Sequence, residues 1–171
     1  VIESAKLNAE QQQAFDELYK LYKSGRPSAS LLYGVTGSGK TQVYMNLIDR
    51  VIQDGRHALV LVPEISLTPQ MLDLFLKRYG SRVAVLHSGL AIGERMDEWK
   101  RIRRGEAQIT VGTRSAVFAP VDNLGLIIMD EEQEHTYKSE SSPRYHARDV
   151  ARYRCAKQNA LLLLTSATPS V

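Results

Sequence analysis

The stretch "LLYGVTGSGKTQVYMNLIDRVI", Leu31 to Ile52, decides how the rest of the chain is read. It leaves an apolar run and places three glycines in six positions, Gly34, Gly37 and Gly39. It then enters a segment where Tyr44, Leu47, Ile48, Val51 and Ile52 recur at helical spacing. Glycine is costly to order, so such a cluster signals a backbone with a task. Residues 34–41 fit G-x-x-x-x-G-K-[ST] between a strand and a helix, the context that pattern requires. Phosphate oxygens must approach main-chain N–H groups closely there, and a Cβ at Gly37 or Gly39 would crowd them. The turn makes a nest of donors, and the new helix adds the positive end of its dipole. Gly34, Val35, Thr36, Gly37, Ser38, Gly39, Lys40 and Thr41 are therefore expected to hold a nucleotide's phosphates. Lys40 reaches the β- and γ-phosphates as a point charge, and the Thr41 hydroxyl ligates Mg²⁺. The plainer alternative is a glycine turn that only caps a helix.

Outward from this turn, short apolar runs alternate with helical patterns. The runs are Leu31–Tyr33, Ala58–Val62, Val83–Leu86, Ile109–Val111, Leu126–Met129 and Leu161–Leu164. Bare apolar runs suit strands covered on both faces, as in a parallel sheet. Asp54-Gly55-Arg56 ends the helix after the glycine turn. Ile92, Met96, Trp99 and Ile102 mark a second stripe, on which Trp99 is expected in the core, and 145–157 reads as a last helix. The order predicts an α/β fold, three-layer, with a mainly parallel sheet.

A phosphate-binding turn needs an acidic partner for hydrolysis. "LGLIIMDEEQ", Leu124 to Gln133, supplies one: an apolar strand, then Asp130 and Glu131 at its C-terminal end, where open α/β sheets bind ligands. Asp130 is expected to hold Mg²⁺ directly or through its water shell, and Glu131 to act as base for the attacking water. Acidic residues that merely favour a helix N-terminus are the alternative.

The chain has 171 residues, 43% hydrophobic and 24% charged, which suits a soluble domain with its own core. A net charge of +3 is compatible with a polyanionic partner without demanding one. Cys155 alone cannot build a disulfide framework or a Cys-rich metal site, and a reduced, cytosolic setting is expected. The longest apolar runs are strand-length, too short to span a membrane as a helix. The N-terminus lacks a signal-peptide pattern and a starting Met, so a piece of a longer protein is expected.

"DEEQ" after a strand (130–133), followed by "LLLLTSATPS" (161–170), resembles the DExH group of superfamily 2 helicases and translocases. Further segments narrow the likeness: "GVTGSGKTQVYM", "LVPEISLTPQM", "LHSGL" with "GER" and Trp99, "GTRSAVFAP", "DEEQEHTYKSE" and "PRYHARDVA". Together they resemble the primosomal replication-restart helicases of bacteria, from about Leu7 to the last residue. That resemblance implies that residues 1–171 are the first RecA-like P-loop lobe, ATP-binding, of a larger DNA helicase. It implies that Ser166, Ala167 and Thr168 couple the nucleotide site to DNA. Thr113 and Arg114, with the segment around Thr68, would hold single-stranded DNA by its backbone. Gln133 stands where many relatives have His and would join the catalytic set, linking the γ-phosphate to the Ser-Ala-Thr segment. Gln11 would read adenine, although Asn8-Ala9-Glu10-Gln11 also reads as a helix capping box.

For the parent protein the resemblance implies forked DNA, single-stranded-DNA-binding protein and primosome loading proteins as partners. It also implies a cytoplasmic, nucleoid-associated setting, and zinc only in cysteine clusters outside this chain. The alternatives are another superfamily 2 translocase, or a nucleotide-gated DNA-binding module without productive hydrolysis. Lys100, Arg101, Arg103 and Arg104 form a basic cluster that is either a DNA patch or an ordinary solvated helix end. His135 and His146 lack metal-ligand spacing.

Overall fold

The computed structural model describes residues 6–32, 38–131, 135–140 and 144–166. All six apolar runs form strands: β1 (Ser28–Leu32), β2 (His57–Leu61), β3 (Val83–Leu86), β4 (Ile109–Gly112), β5 (Leu124–Met129) and β6 (Leu161–Thr165). They make one sheet in the order β1-β6-β5-β2-β4-β3, and every pairing is parallel. Among the described residues five α-helices flank it: α1 (Ala9–Lys23), α2 (Ser38–Gln53), α3 (Pro69–Tyr79), α4 (Ile92–Arg103) and α5 (Ala147–Gln158). The sheet is thus parallel throughout among the described residues, and the three-layer α/β expectation holds.

The layers follow from the pleat. Alternate strand residues point to opposite faces. Val60, Val111, Ile128 and Leu163 face one core with Phe15 of α1, Leu47 of α2 and Phe75 of α3. Leu59, Ile127 and Leu162 face the other with Ile102 of α4 and Ala151 and Cys155 of α5. Strands buried on both sides have no polar face to expose, which is why their sequences show no alternation.

Local chemistry sets the helix ends. Asn8 and Gln11 form a reciprocal capping box at the start of α1. Thr68 caps α3 by accepting from the Met71 N–H at 3.2 Å, with Pro69 at the first helical position. Asn159 closes α5 in the left-handed conformation. Between α2 and α3, Arg78 pairs with Asp49, and the Tyr79 hydroxyl donates to the same carboxylate at 2.9 Å.

One expectation fails. Ile102 is buried, but Trp99 is 38% exposed, Met96 54% and Ile92 82%. Trp99 is not a core residue. Helix α4 lies along the edge strand β3, where Glu98 accepts from the Val85 N–H at 2.7 Å, and of this stripe only Ile102 is buried.

Gly112 ends β4 where no side chain fits. A Cβ there would lie 2.5 Å from both the Ala116 Cβ and the Leu86 carbonyl oxygen. Gly112→Ala is expected to destabilise the fold by about 1–3 kcal/mol. Urea unfolding would show this as a lower midpoint, and an unchanged midpoint would mean that the end of β4 can give way.

Candidate nucleotide-binding and catalytic site

Because the strands are parallel, their C-terminal ends share one edge. From β6 through β5, β2 and β4 to β3, that edge carries in turn Ser166, Asp130, Pro63, Thr113 and His87, and Lys40 of α2 meets it at Ser166. The register makes the neighbours close: Leu32 pairs with Thr165, and Met129 with Leu164. The Ser166 N–H donates to the Leu32 carbonyl at 3.3 Å, and the Asp130 N–H to the Leu61 carbonyl at 2.9 Å.

Lys40 lies in the first turn of α2 and is buried, 9% exposed. Its ammonium donates to the carbonyl oxygen of Ser166. Lys40 and Ser166, the first residue of the Ser-Ala-Thr segment, therefore meet. Thr165, the last residue of β6, clamps the acidic pair. Its hydroxyl donates to Asp130 Oδ1, and its oxygen accepts from the Glu131 N–H at 3.3 Å. Glu131 is held at φ +52°, uncommon for a side-chain-bearing residue. That turn sends its carboxylate to Ser66, whose hydroxyl donates to Oε2 at 2.9 Å. Behind the pair, the buried Tyr137 hydroxyl lies 2.6 Å from the Asp130 carbonyl oxygen and 2.9 Å from that of Leu61, sharing one proton between them.

Asp130 has its pKa raised. Burial is the largest cause; the Thr165 donation opposes it, Glu131 adds to it, and Lys40 opposes it. A buried carboxylate that resists ionisation is a poor fit to an empty site and a good fit to a cation. Oxygen donors from Asp130 and Thr41 match the hard, oxygen-seeking Mg²⁺, which needs only one or two protein ligands beside phosphates and water. Among the described residues no group of three or more His, Cys, Asp or Glu could hold a metal by itself.

Gln11 does two things at once. Its Oε1 accepts from the Asn8 N–H at 2.9 Å, and its Nε2 donates to the Gly39 carbonyl at 3.2 Å. It ties α1 to the glycine turn and is buried. Gly34, Val35, Thr36, Gly37, Gln133, Ala167 and Thr168 lie outside the described residues, as does the side chain of Ser38.

The β2/β4 half of the edge holds the other group. Thr113 is buried, whereas Thr68 is partly exposed and occupied with capping α3. Arg114 donates to the carbonyls of Thr136 and Lys138 at 3.1 and 3.2 Å, and its guanidinium lies 5.9 Å from the Tyr145 ring centroid. It borders a cavity of about 380 Å³ with Pro63, Glu64, Ser88, Thr113 and Lys138. Thr68 does not line that cavity. Sequence reading missed Ser66, Tyr137 and the clamp role of Thr165, because their partners are remote in the chain.

A fully parallel sheet flanked by helices, with a buried lysine and an acidic pair at its C-terminal edge, is the architecture of a RecA-like α/β domain. The DEAD/DEAH box helicase family model matches residues 8–171, and the chain belongs to that family. It is 52% identical over 165 residues to the replication restart protein PriA of Bacillus subtilis, covering 96% of this chain and 20% of that protein. It is 47% identical over 165 residues to the PriA of Treponema pallidum, covering 96% of this chain and 25% of that protein. The chain thus spans about a fifth to a quarter of these relatives' length. Among solved structures, RecG bound to a three-way DNA junction superposes with a TM-score of 0.71 at 23% identity, over 94% of this chain and 21% of that one. The Pyrococcus furiosus Hef helicase domain does so at 0.63 and 20% identity, over 94% and 32%. These likenesses bear on the fold.

The raised Asp130 gives a pH prediction. At acid pH the carboxyl is neutral whether folded or unfolded, so its burial costs nothing. As pH rises through the ordinary aspartate range and then the raised folded value, ionising it becomes unfavourable to the fold. Asp130→Asn is therefore expected to gain stability over the parent as pH rises from about 3 to 7. Urea unfolding of the nucleotide-free protein at both pH values tests this. A gain that is largest at acid pH would contradict it.

Proposed function

We propose that this chain is the first motor lobe of a replication-restart DNA helicase, driven by Mg²⁺-dependent attack of water on the γ-phosphate of ATP. The observation that supports it best is the run of contacts Lys40–Ser166, Thr165–Asp130 and Glu131–Ser66 along one sheet edge. It connects the phosphate lysine to the acids and the acids to the β2 segment. The PriA relatives favour replication restart over other translocases.

Catalysis of this kind is positioning and charge neutralisation rather than covalent chemistry. Main-chain amides of residues 34–39 and Lys40 hold the phosphates. Thr41 and Asp130 hold magnesium, which when bound neutralises charge on the β- and γ-phosphates. Glu131 orients and deprotonates water, and Gln133 and Gln11 contact the γ-phosphate and the adenine respectively. Release of Ser66 from Glu131 would report nucleotide state to Thr68. Ser166, Ala167 and Thr168 would report it to DNA held by Thr68, Thr113 and Arg114 through phosphates, without reading sequence. In the longer protein, forked DNA, single-stranded-DNA-binding protein and primosome loading proteins are the partners, zinc belongs to other segments, and the setting is the bacterial cytoplasm at the nucleoid.

In the full-length protein, Glu131→Gln should retain nucleotide binding and lose DNA-stimulated hydrolysis by at least about a hundredfold. Retention of turnover would point instead to a nucleotide-gated binding module. A protein cut to residues 1–171 is expected to hydrolyse ATP far more slowly than the full-length protein, because closure of the nucleotide cleft is assigned to a second lobe of the longer protein. Steady-state phosphate release on both compares them; equal DNA-stimulated rates would refute the two-lobe reading.

A further inference from the structure

We infer that Tyr44 is a positioning residue of the nucleotide site: its hydroxyl donates to the oxygen shell that assembles between Thr41 and Asp130 when magnesium and nucleotide bind. The inference rests on the ATP-site reading and deepens it.

Tyr44 lies on α2, four residues after Lys40 and three after Thr41, so it shares their helix face. Its side chain is 0% exposed, packed in the core between α1, α2 and the sheet. Among the described residues its hydroxyl has no hydrogen-bond partner. Buried phenols ordinarily find one, and leaving a buried donor unpaired is unfavourable. The surroundings say what would pair it. The Asp130 and Glu131 carboxylates both act on this hydroxyl electrostatically, and the Thr41 hydroxyl adjoins it without reaching hydrogen-bond geometry. The unpaired hydroxyl thus shares a helix face with Lys40 and Thr41 and lies within electrostatic reach of Asp130 and Glu131.

An apolar ring would serve the core alone. Phenylalanine fills the same volume without the unpaired oxygen, so a merely structural Tyr44 predicts that Tyr44→Phe is harmless in every state. The proposal predicts a split. In the full-length protein, Tyr44→Phe should unfold at the same or a higher midpoint without nucleotide. Binding of a non-hydrolysable ATP analogue without magnesium should be unchanged. The magnesium concentration that half-saturates analogue binding should rise about five- to tenfold. An unchanged magnesium requirement overturns the proposal, as does a lower nucleotide-free midpoint, which would make the hydroxyl a packing group. If the parent protein itself shows no magnesium-dependent binding of the analogue, the ATP-site reading fails as well, an outcome visible before the variant is made.

Discussion

A buried lysine joins the two ends of this chain. Lys40 donates to the carbonyl of Ser166, more than a hundred residues later, across the outer strands of the sheet. An ammonium removed from water must be satisfied by protein or by ligand. Among the described residues its hydrogen-bond partner is the neutral carbonyl of Ser166. That contact needs β1 and β6 side by side and parallel, with Leu32 level with Thr165. Any other register would leave the lysine buried without a partner.

The same constraint divides the sheet edge into two territories. After β6 and β5 stand Ser166, Asp130 and Glu131, with Lys40 of α2 against them; after β2 and β4 stand Ser66, Thr113 and Arg114. Glu131 and Ser66 meet at the boundary, and the left-handed backbone of Glu131 aims its carboxylate across it. Such a conformation persists only because its surroundings hold it, here the Thr165 hydroxyl on its N–H and Ser66 on its carboxylate. Tyr137, pinned between the carbonyls of Leu61 and Asp130, keeps β2 and β5 from parting at that point. The site can therefore change its polar contacts while its framework stays in place.

Several binding groups are already engaged within the chain. Arg114 serves two carbonyls and a ring, Gln11 serves a cap and the glycine turn, and Thr68 caps a helix. Each holds its segment in shape as well as offering contacts. The exposed Ile92, Met96 and Trp99 on α4 are the opposite case, apolar groups without cover from the described residues.

The fold was legible in the sequence because its signals are local. Strands buried on both faces, such as β4, β5 and β6, must read as bare apolar runs, and a phosphate turn is expected to read as glycines before Lys-Thr. Asp130 and Glu131 were legible because a strand's end is a predictable place. Trp99 was misread, since periodicity shows that a helix has an apolar face but not whether the sheet extends beneath it. Ser66, Thr165 and the orphan hydroxyl of Tyr44 were invisible as site residues. Their significance lies in partners brought together only when parallel strands align at one edge, a property of register and burial that no local pattern encodes.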